Sequence, residues 1–107
     1  MIDELTIEPR KVQEMRENGT PFLLLDCREP WEHQAARIEG ATLIPMRQIP
    51  LRLDEIPKDQ MVVVYCHVGV RSFDVASWLS QQGVNAFSMS GGIDRWSVEI
   101  DPRVPRY

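Results

Sequence analysis

Short apolar runs alternate along this chain with segments in which apolar residues recur at helical spacing. The runs are rich in leucine and β-branched side chains, and several end at a polar residue or a proline, as is typical of strands buried in a parallel sheet. The pattern predicts strands at residues 5–7, 22–25, 42–44, 61–65 and 86–88. The alternation of strands and helical segments predicts an α/β fold, with helices packed against a small, mostly parallel sheet of about five strands.

Helical spacing predicts helices at residues 9–17, 30–36, 72–82 and 93–98, and a helical segment over residues 46–56 that Pro50 interrupts. Pro9 and Pro30 suit the first position of a helix, since the missing N–H of proline would have no intrahelical partner there. Ser72 is the predicted N-cap of the helix over residues 72–82, and Gly83 follows its end. From about residue 99 to residue 107 we expect an irregular tail that lies on the domain, because this stretch has two prolines and no period.

The chain has 107 residues, which predicts one domain over residues 1–107. Its hydrophobic content of 43% is ordinary for a globular protein, and its net charge of -4 argues against nucleic acid or an anionic membrane as the main partner. No apolar run approaches the roughly 18 residues of a membrane-spanning helix. The first residues lack the basic and apolar regions of a signal peptide, so we expect a cytoplasmic location.

The two cysteines, Cys27 and Cys66, are too few for a disulfide scaffold and do not form a Cys-x-x-Cys pair. His33 and His67 do not supply metal-ligand spacing around them, so we expect no metal site. The arrangement favours one reactive thiol and one structural thiol.

Cys66 directly follows the strongest predicted strand, Met61–Tyr65, and precedes a glycine-containing loop and a helix. The carboxyl ends of strands are where open α/β sheets bind ligands. Loop N–H groups and the positive end of the helix dipole would stabilise a thiolate there, and such surroundings lower thiol pKa values into a range of about 3.5–7.5. We therefore expect Cys66 to be exposed, ionised and nucleophilic, the alternative being an inert core cysteine.

The loop after Cys66 contains three residues with candidate roles. Gly69 lets the loop curl so that successive N–H groups converge. Arg71 is a candidate clamp for an oxyanion, and the alternative is a surface ion pair. His67 either supports the thiolate and touches substrate or is an exposed imidazole without a role.

Asp26, Arg28 and Glu29 follow the second predicted strand and are expected at the same edge of the sheet as Cys66. We expect an intramolecular salt-bridge and turn role for all three. Cys27 is expected to pack as a small residue. A second hypothesis is that Cys27 resolves an oxidised Cys66, which requires that their strands be neighbours.

Four segments together resemble the motifs of rhodanese domains, in the correct order over about residues 5–97. Residues 25–32 resemble the Asp-Val-Arg-Glu-Pro-x-Glu stretch of that family, and residues 38–45 its Ile-x-Gly-Ala-x-Asn-Ile-Pro segment. Residues 66–72 are similar to its active loop, Cys-x-x-Gly-x-Arg-Ser, and residues 91–96 to its Gly-Gly-x-x-x-Trp. The departures are Ala36-Arg37 in place of Gly-His, Leu43 in place of Asn, and Cys27 in place of Val.

The resemblance implies a rhodanese-like fold with helices on both faces of the sheet, and a sulfurtransferase activity. Cys66 would take the sulfane sulfur of a donor such as thiosulfate, and the resulting persulfide would pass that sulfur to an acceptor thiol, or to cyanide in an assay. The implied donor-binding residues are His67, Val68, Gly69, Val70, Arg71 and Ser72. The loop amides from His67 to Arg71 would stabilise the terminal sulfur. No metal or organic cofactor is implied, and the partners are a small sulfur donor and an acceptor that could be a protein.

Two other functions stay open beside the sulfurtransferase. Cysteine-dependent phosphatases use a Cys-x5-Arg loop, whereas Cys66 and Arg71 are separated by four residues, which makes the loop tighter than a phosphate or an arsenate needs. A rhodanese domain that only binds a partner or senses stress is the second alternative, although Cys66 is retained. The tail at residues 100–107 resembles tails of rhodanese domains that pass sulfur to carrier proteins.

Overall fold

The computed structural model describes residues 5–107, which contain one five-stranded sheet. Its strands are β1 (Thr6–Ile7), β2 (Phe22–Asp26), β3 (Thr42–Leu43), β4 (Met61–Tyr65) and β5 (Ala86–Met89). They lie in the order β1-β5-β4-β2-β3, and every neighbouring pair is parallel. The predicted α/β class with a mostly parallel sheet of about five strands is confirmed.

Four α-helices and two short 3₁₀ segments connect the strands. The helices are α1 (Pro9–Asn18), α2 (Pro30–Ala35), α3 (Val70–Gln81) and α4 (Gly92–Glu99), and the 3₁₀ segments are Met46–Gln48 and Pro50–Glu55. Pro9 and Pro30 each occupy the first helical position, as their fixed φ angle favours. Pro50 begins a new 3₁₀ segment, which explains why the helical spacing over residues 46–56 does not form one helix.

The sheet has a hydrophobic core on each face because successive strand residues point to opposite sides. On one face, Val62, Val64 and Cys66 of the β4 region pack with Val75 and Leu79 of α3. The opposite core contains residues of the sheet, of α1 and of α4: Leu24, Val63, Tyr65, Val12, Met15, Ile93 and Trp96. The side chain of Cys66 therefore lies on the α3 side of the sheet.

The start of α3 differs from the prediction. Ser72 is not the N-cap, because the helix begins at Val70 and Gly69 caps it in the left-handed region with a φ of 104°. The glycine turn brings the chain into the helix two residues earlier than the apolar spacing indicated. Ser72 thereby lies in the first turn of α3, with its side chain buried.

The segment after α4 returns across the domain. Val104 packs into the core that contains Trp96, and the hydroxyl of Ser97 donates a hydrogen bond to the Val104 carbonyl at 2.6 Å. These contacts anchor an otherwise irregular tail and bring Tyr107 to the edge of the sheet where β2 and β4 end. No helix among residues 5–107 is both long and apolar enough to cross a membrane.

Candidate active site

The Cys66 sulfur lies within a ring of hydrogen-bond donors. The N–H groups of Gly69 and Ser72 donate to it at 3.2 and 3.3 Å, and the Ser72 hydroxyl lies 3.4 Å away. One of these amides belongs to the loop, and the other lies in the first turn of α3, where N–H groups have no intrahelical acceptor. The convergence of amides on the sulfur was expected, but the contribution of Ser72 lies one residue beyond the predicted range of loop amides.

The expectation that Cys66 is exposed is wrong, since only 1% of the residue is accessible. Its side chain points to the same face as Val62 and Val64, and the loop and the first turn of α3 close over it. The side chain is nevertheless not surrounded by hydrocarbon alone. Buried donors around a thiolate hold the charge in place of water.

A second serine extends the donor network behind the sulfur. The hydroxyls of Ser72 and Ser88 lie 2.7 Å apart, and Ser88 is on β5, next to β4 in the sheet. If Ser88 donates to Ser72, the single proton of the Ser72 hydroxyl is directed to Cys66. Sequence reasoning did not find Ser88. The only signal was a small polar residue at an inward-facing position of a buried strand.

Cys27 lies next to Cys66, because the strands that precede the two cysteines are neighbours. Asp26 of β2 is paired with Tyr65 of β4, and the two cysteines are the next residue in each chain segment. The Cys27 thiol can reach the Cys66 sulfur and also lies 3.5 Å from the Tyr65 carbonyl oxygen. The thiol donates to this carbonyl in the structure, and an ionised Cys66 sulfur, being the charged and stronger acceptor, would take the same proton.

These contacts make Cys66 acidic. The hydrogen bond from Cys27, followed by those from the Ser72 hydroxyl and from the Ser72 and Gly69 amides, lowers the pKa of Cys66 to about 5 against the opposing effect of burial. The same hydrogen bond, together with burial, raises the pKa of Cys27. At neutral pH the pair therefore consists of one thiolate at Cys66 and one neutral thiol at Cys27.

The position of the loop depends on a close approach between the loop and α4. The Ile93 and Asp94 amides donate to the carbonyls of Cys66 and His67 at 2.9 and 3.1 Å. Gly92 has a φ of 62°, and a Cβ atom there would lie 2.4 Å from the His67 carbonyl oxygen and 2.5 Å from that of Cys66. Only glycine allows α4 to begin this close to the nucleophile.

Arg71 is held by a carboxylate that sequence reasoning did not single out as a site residue. Its two terminal nitrogens bind the two oxygens of Glu32 at 2.7 and 2.8 Å, and this pairing raises the pKa of Arg71 and lowers that of Glu32 to about 2. Glu32 is buried and also accepts the Glu29 amide at 2.9 Å. The ion pair uses one edge of the guanidinium, so its remaining N–H groups can still bind an anion.

Asp26 and Arg28 form the salt bridge expected for them, and both are fully buried. Arg28 donates to both oxygens of Asp26, at 2.8 and 2.6 Å, and to the Ala36 carbonyl at 2.6 Å. Asp26 also contacts His33 at 2.8 Å and the Tyr65 hydroxyl at 3.2 Å. This network fixes the end of β2 beside the site and does not reach the sulfur itself.

Glu29 differs from Asp26 and Arg28, because the ion pair of its side chain is long and exposed to solvent. Its carboxylate lies 3.9 Å from the exposed Arg47, and both side chains are open to solvent. An exposed pair of this kind contributes about 0–1 kcal/mol to stability. Glu29 begins α2 as part of a capping box, in which its side chain accepts the Glu32 backbone N–H and the Glu32 side chain accepts the Glu29 N–H.

His67 lies against the tail of the chain. Its ring stacks on the ring of Tyr107, with centroids 4.1 Å apart and planes inclined by 13°. Val68 and Val70 on either side of Gly69 are exposed. Among residues 5–107 there is no group of three or more His, Cys, Asp or Glu side chains placed to hold a metal ion.

A parallel α/β sheet that presents an acidic thiol within a loop of backbone amides defines a class of domain built for cysteine chemistry. The sequence model of the rhodanese-like domain matches residues 8–99. The chain therefore belongs to the rhodanese-like domain family, as the four motifs predicted.

Relatives of the chain agree with this membership. A protein named sulfurtransferase from Allochromatium vinosum is 37% identical over 98 residues, with 91% of this chain and 90% of that protein covered. The thiosulfate sulfurtransferase GlpE of Pseudoalteromonas translucida is 31% identical over 85 residues, with 78% and 81% covered. The crystal structure of a rhodanese-like domain protein from Staphylococcus aureus superposes with a TM-score of 0.83 at 27% identity, with 95% and 97% covered. Other relatives are longer, and the match spans only 27% to 30% of their length.

Proposed function

We propose that the chain is a sulfurtransferase that moves a sulfane sulfur from a donor such as thiosulfate to a thiol acceptor through a Cys66 persulfide. The observation that carries the proposal is the surroundings of the Cys66 sulfur, which accepts two backbone N–H groups and lies beside the Ser72 hydroxyl. With the pKa of Cys66 lowered to about 5, the thiolate is the main form at neutral pH. The names of the relatives from A. vinosum and P. translucida support the same chemistry.

In the first step, the Cys66 thiolate attacks the outer sulfur of thiosulfate. A bond forms between the two sulfur atoms, the bond between the sulfane sulfur and the sulfonate breaks, and its electron pair leaves with sulfite. The enzyme is left with a persulfide whose negative charge lies on the terminal sulfur. No external oxidant or reductant is needed, since the sulfane sulfur is transferred together with its oxidation state.

The terminal sulfur needs hydrogen-bond donors of its own. The amides of Val70 and Arg71 occupy the first two positions of α3, where a helix offers no internal acceptor, and no other acceptor is seen for them among the described residues. We propose that these amides bind the terminal sulfur as an oxyanion hole binds oxygen. The remaining N–H groups of Arg71 would bind the sulfonate oxygens of the donor.

In the second step, an acceptor thiolate attacks the terminal sulfur and leaves as a persulfide, which regenerates the Cys66 thiolate. Cyanide can replace the thiol and leaves as thiocyanate. The two half-reactions share one enzyme form, so the kinetics should be ping-pong. A persulfide donor and a protein acceptor are compatible with the same site.

The reaction class is tested by the intact mass of the protein after incubation with thiosulfate. We expect a gain of one sulfur atom that a reductant removes, and no gain in Cys66→Ser. Cys27→Ser is the matched control, because it removes the other thiol and should still gain the sulfur. Failure of the unsubstituted protein to gain sulfur from thiosulfate and from glutathione persulfide would refute the proposal.

A steady-state assay separates the proposal from the phosphatase alternative. Thiosulfate with cyanide should yield thiocyanate, whereas p-nitrophenyl phosphate should remain intact. Hydrolysis of the phosphate ester that depends on Cys66 would favour the phosphatase. Absence of both activities in a folded protein would favour a domain that only binds a partner.

A further inference from the structure

Tyr107 contacts the active-site loop through its ring and the side chains of Arg28 and Glu32 through its hydroxyl group. Its ring stacks on His67, the residue that follows Cys66. Its hydroxyl group is 2.8 Å from a terminal nitrogen of Arg28 and 2.8 Å from a carboxylate oxygen of Glu32. The tail of the chain is thereby joined to the nucleophile's neighbour and to the carboxylate that binds Arg71.

The direction of these hydrogen bonds follows from the groups involved. Arginine only donates, so the Tyr107 oxygen accepts from Arg28 and gives its single proton to Glu32. Burial is the main reason that the pKa of Tyr107 is raised, to about 12, so the phenol stays protonated at neutral pH. A fixed donor is thus directed at Glu32 under all physiological conditions.

Glu32 transmits this contact to Arg71. Its two oxygens bind the two terminal nitrogens of Arg71, while the Glu29 amide and the Tyr107 hydroxyl bind the same carboxylate from other sides. A carboxylate that several donors bind is held in one position, and its bidentate contact holds the Arg71 guanidinium in one position as well. The Arg71 side chain is about one-third exposed, at 34%, so solvent or an anion can reach the guanidinium.

We infer that Tyr107 is a positioning residue that gives the active site its preference for an anionic donor. It acts on Arg71 through Glu32 and on His67 by stacking, and it does not touch the sulfur. Tyr107 lies outside residues 8–99, the range that the family match covers, so the family motifs do not assign it a role. The inference rests on the proposed function of Cys66 and names one source of its donor selectivity.

Two substitutions separate the contributions of the ring and the hydroxyl. Tyr107→Phe keeps the stack on His67 but removes a donor from Glu32 and an acceptor from Arg28. The negative charge of Glu32 is then stabilised by one hydrogen bond fewer, so it neutralises more of the positive charge of Arg71. We expect the KM for thiosulfate at saturating cyanide to rise about fivefold with kcat little changed, as for a lost hydrogen bond to a charged group. Tyr107→Leu also removes the stack and should lower kcat in addition.

A second measurement reports on the site without any sulfur transfer. The rate of Cys66 alkylation by iodoacetate, an anion, is divided by the rate with neutral iodoacetamide, and mass spectrometry of peptides identifies the modified cysteine. A site made positive by Arg71 raises this ratio. In Tyr107→Phe the ratio should fall about threefold, while the iodoacetamide rate changes little.

Arg103→Ala is the matched control, because it removes an exposed ion pair with Asp101 from the same tail. It should leave both the KM and the alkylation ratio unchanged. An unchanged KM and ratio in Tyr107→Phe, or equal changes in Arg103→Ala, would overturn the inference. If the unsubstituted protein forms no persulfide, the proposed function fails, and the alkylation ratio still decides the role of Tyr107.

Discussion

Cys27 and Cys66 lie side by side at the ends of neighbouring parallel strands, and Cys27 contributes most to the lowered pKa of Cys66. The two cysteines come together because Asp26 and Tyr65, the residues before them, are partners across neighbouring parallel strands. Such strands lie about 4.8 Å apart, and residues in register point to the same face, so both side chains lie in the core on the α3 side. The pairing of β2 with β4 therefore helps to lower the pKa of the nucleophile, Cys66.

The first prediction concerns the pH dependence of Cys66 reactivity. Since a thiol reacts as its thiolate, the rate of alkylation by iodoacetamide should rise as the pH increases through about 5, the pKa of Cys66, and level off about two units above it. Peptide mapping separates this reaction from that of Cys27, whose raised pKa keeps it protonated and slow. A midpoint near the ordinary thiol value of about 8.5 would contradict the assigned contacts.

Substitutions at Cys27 extend this test. Cys27→Val removes the donor with little change of volume and should move the midpoint of Cys66 alkylation upward by about one unit, which corresponds to about 1.4 kcal/mol. Cys27→Ser is the conservative control, because its hydroxyl can still donate. If both variants shift the midpoint equally, packing rather than the hydrogen bond explains the low pKa.

Oxidation should join the two cysteines. Hydrogen peroxide converts the Cys66 thiolate to a neutral sulfenic acid, which removes the charge that raises the pKa of Cys27. The Cys27 sulfur then attacks the sulfenic sulfur, its proton leaves with the hydroxide, and a disulfide and water are formed. Neighbouring parallel strands place Cα atoms within the range of about 4.4–6.8 Å that a disulfide spans. We expect mass spectrometry to show an internal bridge between the two residues in the folded protein. Formation of sulfinic acid at Cys66 without a bridge would refute this role of Cys27.

The sheet could be predicted from local sequence because its strands are short apolar runs with clear ends. Met61–Tyr65 contains three consecutive valines and stops at Cys66, and residues 22–25 end at an aspartate. Pro9 and Gly19 likewise mark the ends of α1 through backbone geometry that each residue carries by itself. The contribution of loop amides to the lowered pKa of Cys66 followed from the same logic, whereas the larger contribution of Cys27 depends on the order of the strands.

The partners of Arg71 could not be predicted in this way. Glu32 is 39 residues earlier in the chain, and its contact with Arg71 depends on how α2 packs against the loop. Tyr107 reaches the same carboxylate across 75 residues, because Val104 anchors the tail. A local signal existed for Glu32 alone, since a glutamate three residues after the N-cap Glu29 can bind the N-cap backbone N–H. Burial of Cys66 was also missed, because it depends on closure of α3 over the loop.

Gly92 should be among the most sensitive positions for stability. An alanine there would need the left-handed conformation and would bring its Cβ within 2.5 Å of two backbone carbonyl oxygens. We expect Gly92→Ala to lower the free energy of unfolding by about 3 kcal/mol or more, measured by urea denaturation. Gly40→Ala is the matched control, because Gly40 also has a positive φ of 89° but open space around the added methyl group. It should cost about 1–2 kcal/mol. Equal losses in the two variants would show that the close approach to Cys66 and His67 does not matter.

Arg71 should control the binding of thiosulfate and not the ionisation of the nucleophile. The contacts that lower the pKa of Cys66 most come from Cys27, Ser72 and Gly69, so replacing Arg71 should leave the alkylation midpoint near pH 5. Arg71→Lys keeps a positive charge but loses the planar fork that binds Glu32 and a sulfonate together, and we expect the KM for thiosulfate to rise about tenfold with a smaller change in kcat. Arg52→Lys is the control, because Arg52 makes a similar two-point contact with Glu55 on the surface. A tenfold effect at Arg71 with none at Arg52 assigns the donor site to this guanidinium. If a higher midpoint of Cys66 alkylation explained the whole loss of activity in Arg71→Lys, Arg71 would instead act as a positive charge that stabilises the thiolate.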